Sequence, residues 1–246
     1  MTILFVSDLH LHASRPAVTD CFLRFLADTA SHAEALYILG DLFESWIGDD
    51  APGATGMQVS AALRQLTDRG VHCHFMRGNR DFLISGRFAA ESGINLLADE
   101  VVIDLHGERT LLMHGDTLCT DDHAYQRYRR IVHWPLTQAL YLALPVTARK
   151  RIEARLRSKS MEAYGNKPAM LMDVNQQAVA AIMEHHKVSL LIHGHTHRPA
   201  IHQLATAQGE AATRIVLGDW YEQDAVLVCD EDGQRARRVS DYLDGR

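Results

Sequence analysis

Five short apolar runs of this sequence each end in side chains of the kinds that bind metal ions. These side chains are carboxylates, an amide and imidazoles: Asp8, His10, Asp41, Asn79, His114, His195 and His197. The apolar runs before them are residues 3–6, 36–39, 75–76, 111–113 and 190–192. Oxygen and nitrogen donors without thiolates suit hard to intermediate divalent ions such as Mn²⁺, Fe²⁺ or Zn²⁺. The sequence therefore predicts metal-dependent chemistry.

Seven donor side chains are too many for one ion, so the pattern predicts a pair of ions. Two ions about 4 Å apart need a ligand that reaches both, and a carboxylate at a strand end does this readily. Asp41 follows an apolar run and Gly40, and it is the predicted bridging ligand. Taken singly, each donor could be an ordinary turn residue or a hydrogen-bonded histidine. That interpretation would have to hold at five strand ends together, which disfavours it.

The spacing of apolar residues predicts strands that alternate with helices, which is typical of an α/β fold. Glycine allows a sharp turn after a buried strand, so we expect the donor side chains along one edge of a sheet. Helices are predicted at residues 16–30, 57–69 and 174–186, with a loop at 43–56. Strands are also predicted at residues 71–76, 189–192, 200–205, 214–217 and 225–229. A predicted hairpin at residues 101–113 makes the sheet mixed.

Composition and charge narrow the class of protein. The 246 residues carry a net charge of −6, which argues against a general polyanion binder. The four cysteines are scattered without a Cys-x-x-Cys pair, so they predict neither disulfides nor a thiolate zinc site. The sequence begins directly with a predicted strand, and none of its apolar runs approaches the length that spans a bilayer. These features predict a cytoplasmic protein that can still touch a membrane.

Residues 121–168 differ in composition and are predicted to form a helical insertion. Nine of the 25 basic residues lie between positions 123 and 160, against one acidic residue, Glu153. Helices are predicted at 125–133 and 148–161, joined by a largely apolar connector at 134–145. The basic residues alone fit a solvated face, a nucleic-acid site or a contact with anionic lipid. The apolar connector favours an amphiphilic partner, because it is too short to cross a bilayer but suits acyl chains.

The donor residues belong to five motifs that follow one another along the chain: Asp8-x-His10, Gly40-Asp41, Gly78-Asn79-x-Asp81, His114-Gly115-Asp116 and Gly194-His195-x-His197. This set resembles the motifs of the calcineurin-like metallophosphoesterases. The resemblance implies an α/β sandwich of two mixed sheets flanked by helices, formed by residues 1–246 as a single domain with the helical insertion as a cap. One metal ion would then be held by Asp8, His10, Asp41 and His197. The other would be held by Asp41, Asn79, His114 and His195.

Arg80 stands where many members of that family carry a histidine that is thought to protonate the leaving alkoxide. A guanidinium does not donate a proton at neutral pH, so this general acid is missing. A phosphate monoester leaves well without such a proton, which indicates cleavage of a phosphoanhydride. Arg80 would instead hold phosphate oxygens and stabilise their charge. The alternative is a surface arginine paired with Asp81.

Longer segments narrow the resemblance to one group of these enzymes. Residues 3–10, 40–44, 78–83 and 192–199 closely resemble the UDP-2,3-diacylglucosamine pyrophosphatases of bacterial lipid A biosynthesis. The resemblance implies Mn²⁺-dependent hydrolysis of UDP-2,3-diacylglucosamine to UMP and 2,3-diacylglucosamine 1-phosphate (lipid X). It also implies peripheral attachment to the cytoplasmic face of the inner membrane.

The same resemblance implies roles for individual residues. The catalytic residues would be Asp41, Asn79, Arg80 and His195. The substrate contacts would be Asn79, Arg80, Asp122, Ser160, Tyr164, Lys167 and His195. Tyr164 stands where some relatives carry asparagine. Without the resemblance, Asp122, Ser160 and Lys167 would be taken for a turn acid, an exposed serine and a solvated lysine.

Two other functions stay open from the sequence alone. One is a phosphoesterase of nucleotides or nucleic-acid ends, with the basic insertion along a phosphate backbone. The other is a metal-free scaffold of the same fold, which the complete donor set disfavours. The preferred prediction is a monomeric dimetal hydrolase of a lipid substrate, without a nucleic-acid partner. We also expect Asp116 to orient the imidazole of His114 from outside the ligand set.

Overall fold

Strands and helices alternate over the first 96 residues of the chain. The computed structural model describes residues 2–166, 173–205, 209–221 and 225–240, with the side chains of 159–166 excepted. The strands are β1 Ile3–Val6, β2 Ala35–Leu39, β3 His72–Met76, β4 Asn95–Leu96, β5 Glu100–Leu105, β6 Glu108–Met113, β7 Leu190–His193, β8 Ala200–Ala205, β9 Ala211–Val216, β10 Ala225–Asp230 and β11 Gly233–Arg238. The helices are α1 Pro16–Arg24, α2 Gly53–Asp68, α3 Gly86–Ser92, α4 His123–Val132, α5 Pro135–Leu142, α6 Val146–Asn166 and α7 Gln176–His186.

The strands form two mixed sheets. The first has the order β11-β10-β1-β2-β3-β4, in which β1 to β4 are parallel and β10 pairs antiparallel with both of its neighbours. The second has the order β5-β6-β7-β9-β8, in which β6, β7 and β9 are parallel and both edge strands are antiparallel. The predicted α/β fold with two mixed sheets is confirmed.

The sheets pack against each other, and helices cover their outer faces. Phe5 and Leu39 of the first sheet share a buried cluster with Ile192 of the second. Leu36 of β2 belongs to a different cluster, which includes Phe22 of α1. Successive side chains of a strand point to opposite faces, so a strand buried on both faces is apolar throughout. This explains why the strands before the donor residues appear in the sequence as continuous apolar runs.

Helix boundaries differ from the predictions at several points. α2 begins at Gly53 rather than at residue 57, so the predicted loop at 43–56 ends earlier. Gly56 lies inside this helix, where a Cβ would come within 2.9 Å of the Trp46 ring. The helix predicted at 16–30 is α-helical only to Arg24 and continues as a π-helical turn. The sequence patterns do not predict α3, β4 or β11.

The insertion is more helical than predicted. The predicted connector at 134–145 contains α5, which has Pro135 in its first turn, where proline is well tolerated. Arg149 of α6 is only 2% exposed. Its Nη1 donates to the carbonyl oxygen of Ile47 at 2.5 Å and to Asp50 Oδ1 at 2.8 Å. Arg149 therefore fastens the insertion to the core and does not belong to a solvated basic face.

Among the residues that the structure describes, no helix combines the length and the apolar character needed to cross a bilayer.

Candidate metal centre

The predicted donor side chains meet where strands of both sheets end. From the first sheet come the residues that follow β1, β2 and β3: Asp8, His10, Asp41 and Asn79. From the second sheet come the residues that follow β6 and β7: His114, His195 and His197. The expectation of a site along one sheet edge is wrong, because the sandwich brings strand ends of two sheets together.

One group of donors surrounds the carboxylate of Asp8. His197 Nε2 lies 3.3 Å from Asp8 Oδ1, and His10 Nε2 lies 4.0 Å from the same oxygen. The two imidazole nitrogens are 3.2 Å apart, and His10 Nε2 is 3.8 Å from Asp41 Oδ2. Asp8 Oδ1 is buried and accepts no hydrogen bond within the described ranges. Imidazole nitrogens and carboxylate oxygens that face one another in this way suit a divalent cation.

A second group of donors lies on the other side of Asp41. Asn79 Oδ1 is 3.0 Å from His114 Nε2 and 2.9 Å from His195 Nδ1. His114 Nε2 is also 3.7 Å from Asp41 Oδ1. Asp41 therefore faces both groups of donors. Its Oδ2 faces the first group, and its Oδ1 faces the second. This arrangement suits a bridging carboxylate, although the ligation itself stays a prediction.

The backbone is left-handed at most of the donor residues. Asp8, His10, Asp41, His195 and His197 have φ angles between 49° and 69°. They are five of the seven non-glycine residues with positive φ in the described part of the chain. Such a conformation costs roughly 1 to 3 kcal/mol per residue and tends to cluster at functional sites. The concentration of this strain at the strand ends supports a functional role for these residues.

Buried carboxylates give the site a negative potential. Burial alone would lower the pKa of His114, but the nearby carboxylates, above all Asp41, raise it to about 9. Burial and the neighbouring His114 lower the pKa of His195 to about 4. A neutral His195 ring offers a lone pair, and the carboxylates favour positive charge beside it. The donor set and its potential therefore fit divalent ions.

A backbone carbonyl, rather than Asp116, orients His114. His114 Nδ1 donates to the carbonyl oxygen of Leu39 at 2.8 Å, which leaves Nε2 as the lone-pair donor of a neutral ring. Asp116 Oδ2 instead accepts hydrogen bonds from Tyr125 Oη and Arg129 Nε, both at 2.6 Å. The prediction that Asp116 orients His114 is wrong. Asp116 ties α4 of the insertion to the centre.

Asp81 is a buried carboxylate that links two donor-bearing loops. Its Oδ2 accepts from the Leu42 amide at 2.7 Å, and its Oδ1 accepts from the Gly78 amide at 2.8 Å. Burial and the neighbouring Asp41 raise the pKa of Asp81. Because this carboxylate faces backbone amides, the alternative in which it pairs with Arg80 is wrong.

Arg80 lies beside the donors, and no described residue pairs with its guanidinium. Among the described residues, its side chain makes no hydrogen bond or ion pair. Its backbone N–H donates to Asp41 Oδ1 at 2.8 Å, which fixes its position next to the second donor group. Its charge also acts on Tyr128 of α4, where it opposes the rise in pKa that burial causes. A guanidinium with free donors at this place can hold an anionic group.

The remaining predicted substrate contacts come from the insertion. Asp122 Oδ1 accepts from the Tyr125 amide at 3.0 Å and caps the start of α4, so it has a structural role as well. The side chains of Ser160, Tyr164 and Lys167 lie outside the described residues. Contact of these four residues with substrate stays a prediction.

Glu44 and Tyr221 also reach the site, although no spacing rule identifies them in the sequence. Glu44 Oε2 lies 3.3 Å from His10 Nδ1 and accepts a hydrogen bond from Tyr221 Oη at 2.9 Å. Burial raises the pKa of Glu44, but its contacts with His10 and Tyr221 and the charge of Arg80 outweigh burial and lower it to about 2. Glu44 is therefore an anion that faces the back of one donor imidazole.

The insertion exposes large apolar side chains, which form what we name the insertion surface. Its members are Tyr128, Ile131, Trp134, Leu136, Leu140, Leu142, Leu144 and Leu156, eight of the ten exposed large apolar residues in the described ranges. Exposed basic residues accompany them: Arg127, Arg130, Lys150, Arg151 and Arg155. The ring of Tyr125 in α4 lies 6.1 Å from that of His195, so the insertion adjoins the donors. Exposed apolar clusters of this kind mark interaction surfaces.

Comparison with known proteins assigns the family. The sequence profile of the family described as calcineurin-like phosphoesterase matches residues 1–199. The chain belongs to this calcineurin-like phosphoesterase family, and membership implies divalent metal ions at the site.

Its curated relatives include proteins named UDP-2,3-diacylglucosamine hydrolase. The UDP-2,3-diacylglucosamine hydrolase of Escherichia coli O81 (strain ED1a) is 56% identical over 227 residues, 92% of this chain and 94% of the relative. The protein of the same name from Shigella sonnei (strain Ss046) is 55% identical over the same shares of both chains. A solved structure of an archaeal phosphodiesterase covers 96% of this chain and 99% of its own at 12% identity, with a TM-score of 0.49.

Proposed function

We propose that this chain hydrolyses the diphosphate bond of UDP-2,3-diacylglucosamine to UMP and 2,3-diacylglucosamine 1-phosphate (lipid X), a step of lipid A biosynthesis. The observation that carries the proposal is the 56% identity, over 92% of the chain, to relatives named UDP-2,3-diacylglucosamine hydrolase. Three parts of the structure support it: the two donor groups, the Arg80 guanidinium beside them and the insertion surface. The donor groups would bind the metals, Arg80 would bind the diphosphate, and the insertion surface would bind the acyl chains.

Two divalent ions, with Mn²⁺ preferred, would occupy the two donor groups. The first would be held by Asp8, His10, Asp41 and His197, and the second by Asp41, Asn79, His114 and His195. When bound, the ions supply Lewis-acid activation of water and of the phosphoryl group. The Leu39 carbonyl accepts from His114 Nδ1, so Nε2 of the neutral His114 ring faces the ion, and burial favours the neutral form of His195.

Asn79 and Arg80 would hold the diphosphate. The Oδ1 of Asn79 faces two imidazoles, which leaves its amide hydrogens for phosphate oxygens. The planar fork of Arg80 matches two phosphate oxygens and stabilises the charge that spreads over them during phosphoryl transfer. The hydrogen bond from the Arg80 amide to Asp41 keeps this guanidinium beside the donors.

The leaving group needs no proton donor, because a sugar phosphate leaves as a stable monoester anion. Water would attack the phosphorus nearer uridine, so that UMP carries the new oxygen. Hydrolysis in ¹⁸O water followed by mass spectrometry tests this position. We expect the label in UMP, whereas label in the sugar phosphate would contradict it.

The insertion surface would rest on the cytoplasmic face of the inner membrane and receive the acyl chains. Its apolar side chains suit the interfacial layer, and the basic residues around them suit anionic lipid headgroups. All seven donors come from one chain, which supports a monomer as the working unit.

The proposed substrate can be tested against a simple phosphate ester. We expect Mn²⁺-dependent release of UMP from UDP-2,3-diacylglucosamine, with a kcat/KM far above that for p-nitrophenyl phosphate. Faster hydrolysis of the aryl phosphate would favour a phosphoesterase of nucleotides or nucleic-acid ends.

A further inference from the structure

Glu44 faces the edge of His10 that points away from the other donors. Its Oε2 lies 3.3 Å from His10 Nδ1, while His10 Nε2 faces the carboxylates of Asp8 and Asp41. His10 Nδ1 is buried and makes no hydrogen bond within the described ranges, so the Glu44 carboxylate 3.3 Å away is the acceptor within its reach. The imidazole therefore lies between Glu44 on one edge and the first donor group on the other.

Tyr221 and Arg157 hold Glu44 in this place. Tyr221 Oη donates to Glu44 Oε2 at 2.9 Å, and Arg157 Nη2 of α6 lies 3.5 Å from Glu44 Oε1. The Tyr221 ring also stacks on the His10 ring, with centroids 5.3 Å apart and an interplanar angle of 15°. Tyr221 thus contacts both the imidazole and the carboxylate that faces it. The side chain of Glu44 is only 14% exposed, so solvent screens this contact weakly.

We propose that Glu44 is a positioning residue that holds His10 with Nδ1 protonated and Nε2 directed at the metal. This inference rests on the proposed function, which makes His10 a metal ligand. A carboxylate that accepts the second N–H of a ligating imidazole fixes its tautomer and raises its basicity. Loss of such a partner typically weakens metal binding about 10- to 100-fold.

A second ion pair between the insertion and the core supplies a matched control. Arg157 and Arg149 both lie in α6, and each pairs with a carboxylate from the segment after β2, Glu44 and Asp50 respectively. The hydrogen bonds of Asp50 lead to Arg149, and none joins it to a predicted donor in the described part of the chain. A loss of metal affinity that arises only from a loosened α6 would therefore appear in Asp50→Asn as well.

The test measures Mn²⁺ binding to the full chain after removal of metal with EDTA. Isothermal titration and Mn²⁺ electron paramagnetic resonance would compare wild type with Glu44→Gln, Asp50→Asn and Tyr221→Phe. We expect Glu44→Gln to bind at least one Mn²⁺ about tenfold or more weakly. Tyr221→Phe keeps the stacked ring and loses only the hydroxyl, so it should give a smaller loss. Asp50→Asn should bind like wild type.

Each outcome decides the role of Glu44. Unchanged Mn²⁺ affinity in Glu44→Gln, or an equal loss in Asp50→Asn, would overturn it. If Glu44→Gln does not fold, Tyr221→Phe decides, and wild-type affinity in that variant would overturn the inference. A wild-type chain that binds Mn²⁺ but releases no UMP would refute the proposed substrate and leave the comparison of affinities valid. A wild-type chain that binds no Mn²⁺ would overturn the role of Glu44 together with the metal assignment.

Discussion

Gly78 packs directly against the carboxylate of Asp41. A Cβ at position 78 would lie 2.2 Å from Asp41 Oδ1 and 2.4 Å from the Asp41 amide nitrogen. No side chain fits at these distances, so the loop after β3 depends on glycine to approach the loop after β2. The two loops carry Asn79 and Asp41, and their contact sets the distance between these predicted ligands.

Gly78→Ala should therefore disrupt the centre while the rest of the fold persists. The new methyl group has to displace the Asp41 carboxylate, so we expect Mn²⁺ binding to weaken about 100-fold, the upper end of what loss of a residue that orients a ligand costs. Gly86→Ala is the matched control, because a Cβ at this position meets nothing within 4 Å and alanine favours the start of α3. Wild-type Mn²⁺ affinity in Gly78→Ala would contradict this prediction, because the two loops could then move apart without loss of metal binding.

Removal of the Arg80 side chain should affect catalysis much more than stability. The guanidinium makes no hydrogen bond or ion pair with the described residues, so the melting temperature of Arg80→Ala should match that of wild type. We expect kcat/KM for UMP release to fall about a thousandfold, as for other arginines that stabilise a transferring phosphoryl group. Arg80→Lys should recover only part of this loss, because lysine lacks the planar fork. A loss below about tenfold in Arg80→Ala would refute its role in phosphate binding.

Asp116→Ala should destabilise the metal-free chain. It leaves Arg129 with only the exposed Asp99 as a partner and removes the acceptor of Tyr125, which together should cost roughly 3 kcal/mol of unfolding free energy. Tyr125→Phe removes only one hydrogen bond, so about 1 kcal/mol is expected. Urea unfolding followed by circular dichroism measures both changes. Equal losses of unfolding free energy in the two variants would mean that Asp116 does not anchor α4 through Arg129.

The insertion surface should bind anionic membranes through its apolar side chains. Trp134 and Leu140 are 58% and 63% exposed, and each should contribute roughly 1 to 2 kcal/mol when it enters the interfacial layer. A Trp134→Ser and Leu140→Gln double variant should therefore bind phosphatidylglycerol vesicles roughly tenfold or more weakly in co-sedimentation. Met57→Gln is the control, since Met57 is 60% exposed on α2, outside the insertion. Vesicle binding at the wild-type level in the double variant would contradict a membrane role for this surface.

Local sequence patterns identify the strands before the donors because those strands are buried on both faces. A run such as residues 36–39 is apolar throughout, and the glycine and carboxylate after it mark the strand end. The grouping of donors cannot be found in this way. Asp8 and His197 lie near opposite ends of the chain, and they meet only because two sheets pack together. For the same reason the predicted single sheet edge is wrong.

Long-range contacts also explain which roles the sequence does not reveal. Arg149 is one of the nine basic residues between positions 123 and 160, and its burial depends on Ile47 and Asp50, which precede it by about a hundred positions. Asp116 stands two positions after His114, yet its carboxylate faces α4 while a carbonyl of β2 orients the imidazole. Spacing along the chain gives the residue types of the site, and tertiary packing decides their partners.

The most direct test of the central claim is UMP release from UDP-2,3-diacylglucosamine by wild type and by Asp41→Asn, each with Mn²⁺ and after treatment with EDTA. Asp41 faces both donor groups, so the loss of its charge should weaken both sites. We predict release by wild type that depends on Mn²⁺ and falls about a thousandfold or more in Asp41→Asn, because metal-ion catalysis contributes several kcal/mol. Release that persists after EDTA treatment, or that Asp41→Asn retains at the wild-type rate, would contradict a dimetal hydrolase centred on Asp41.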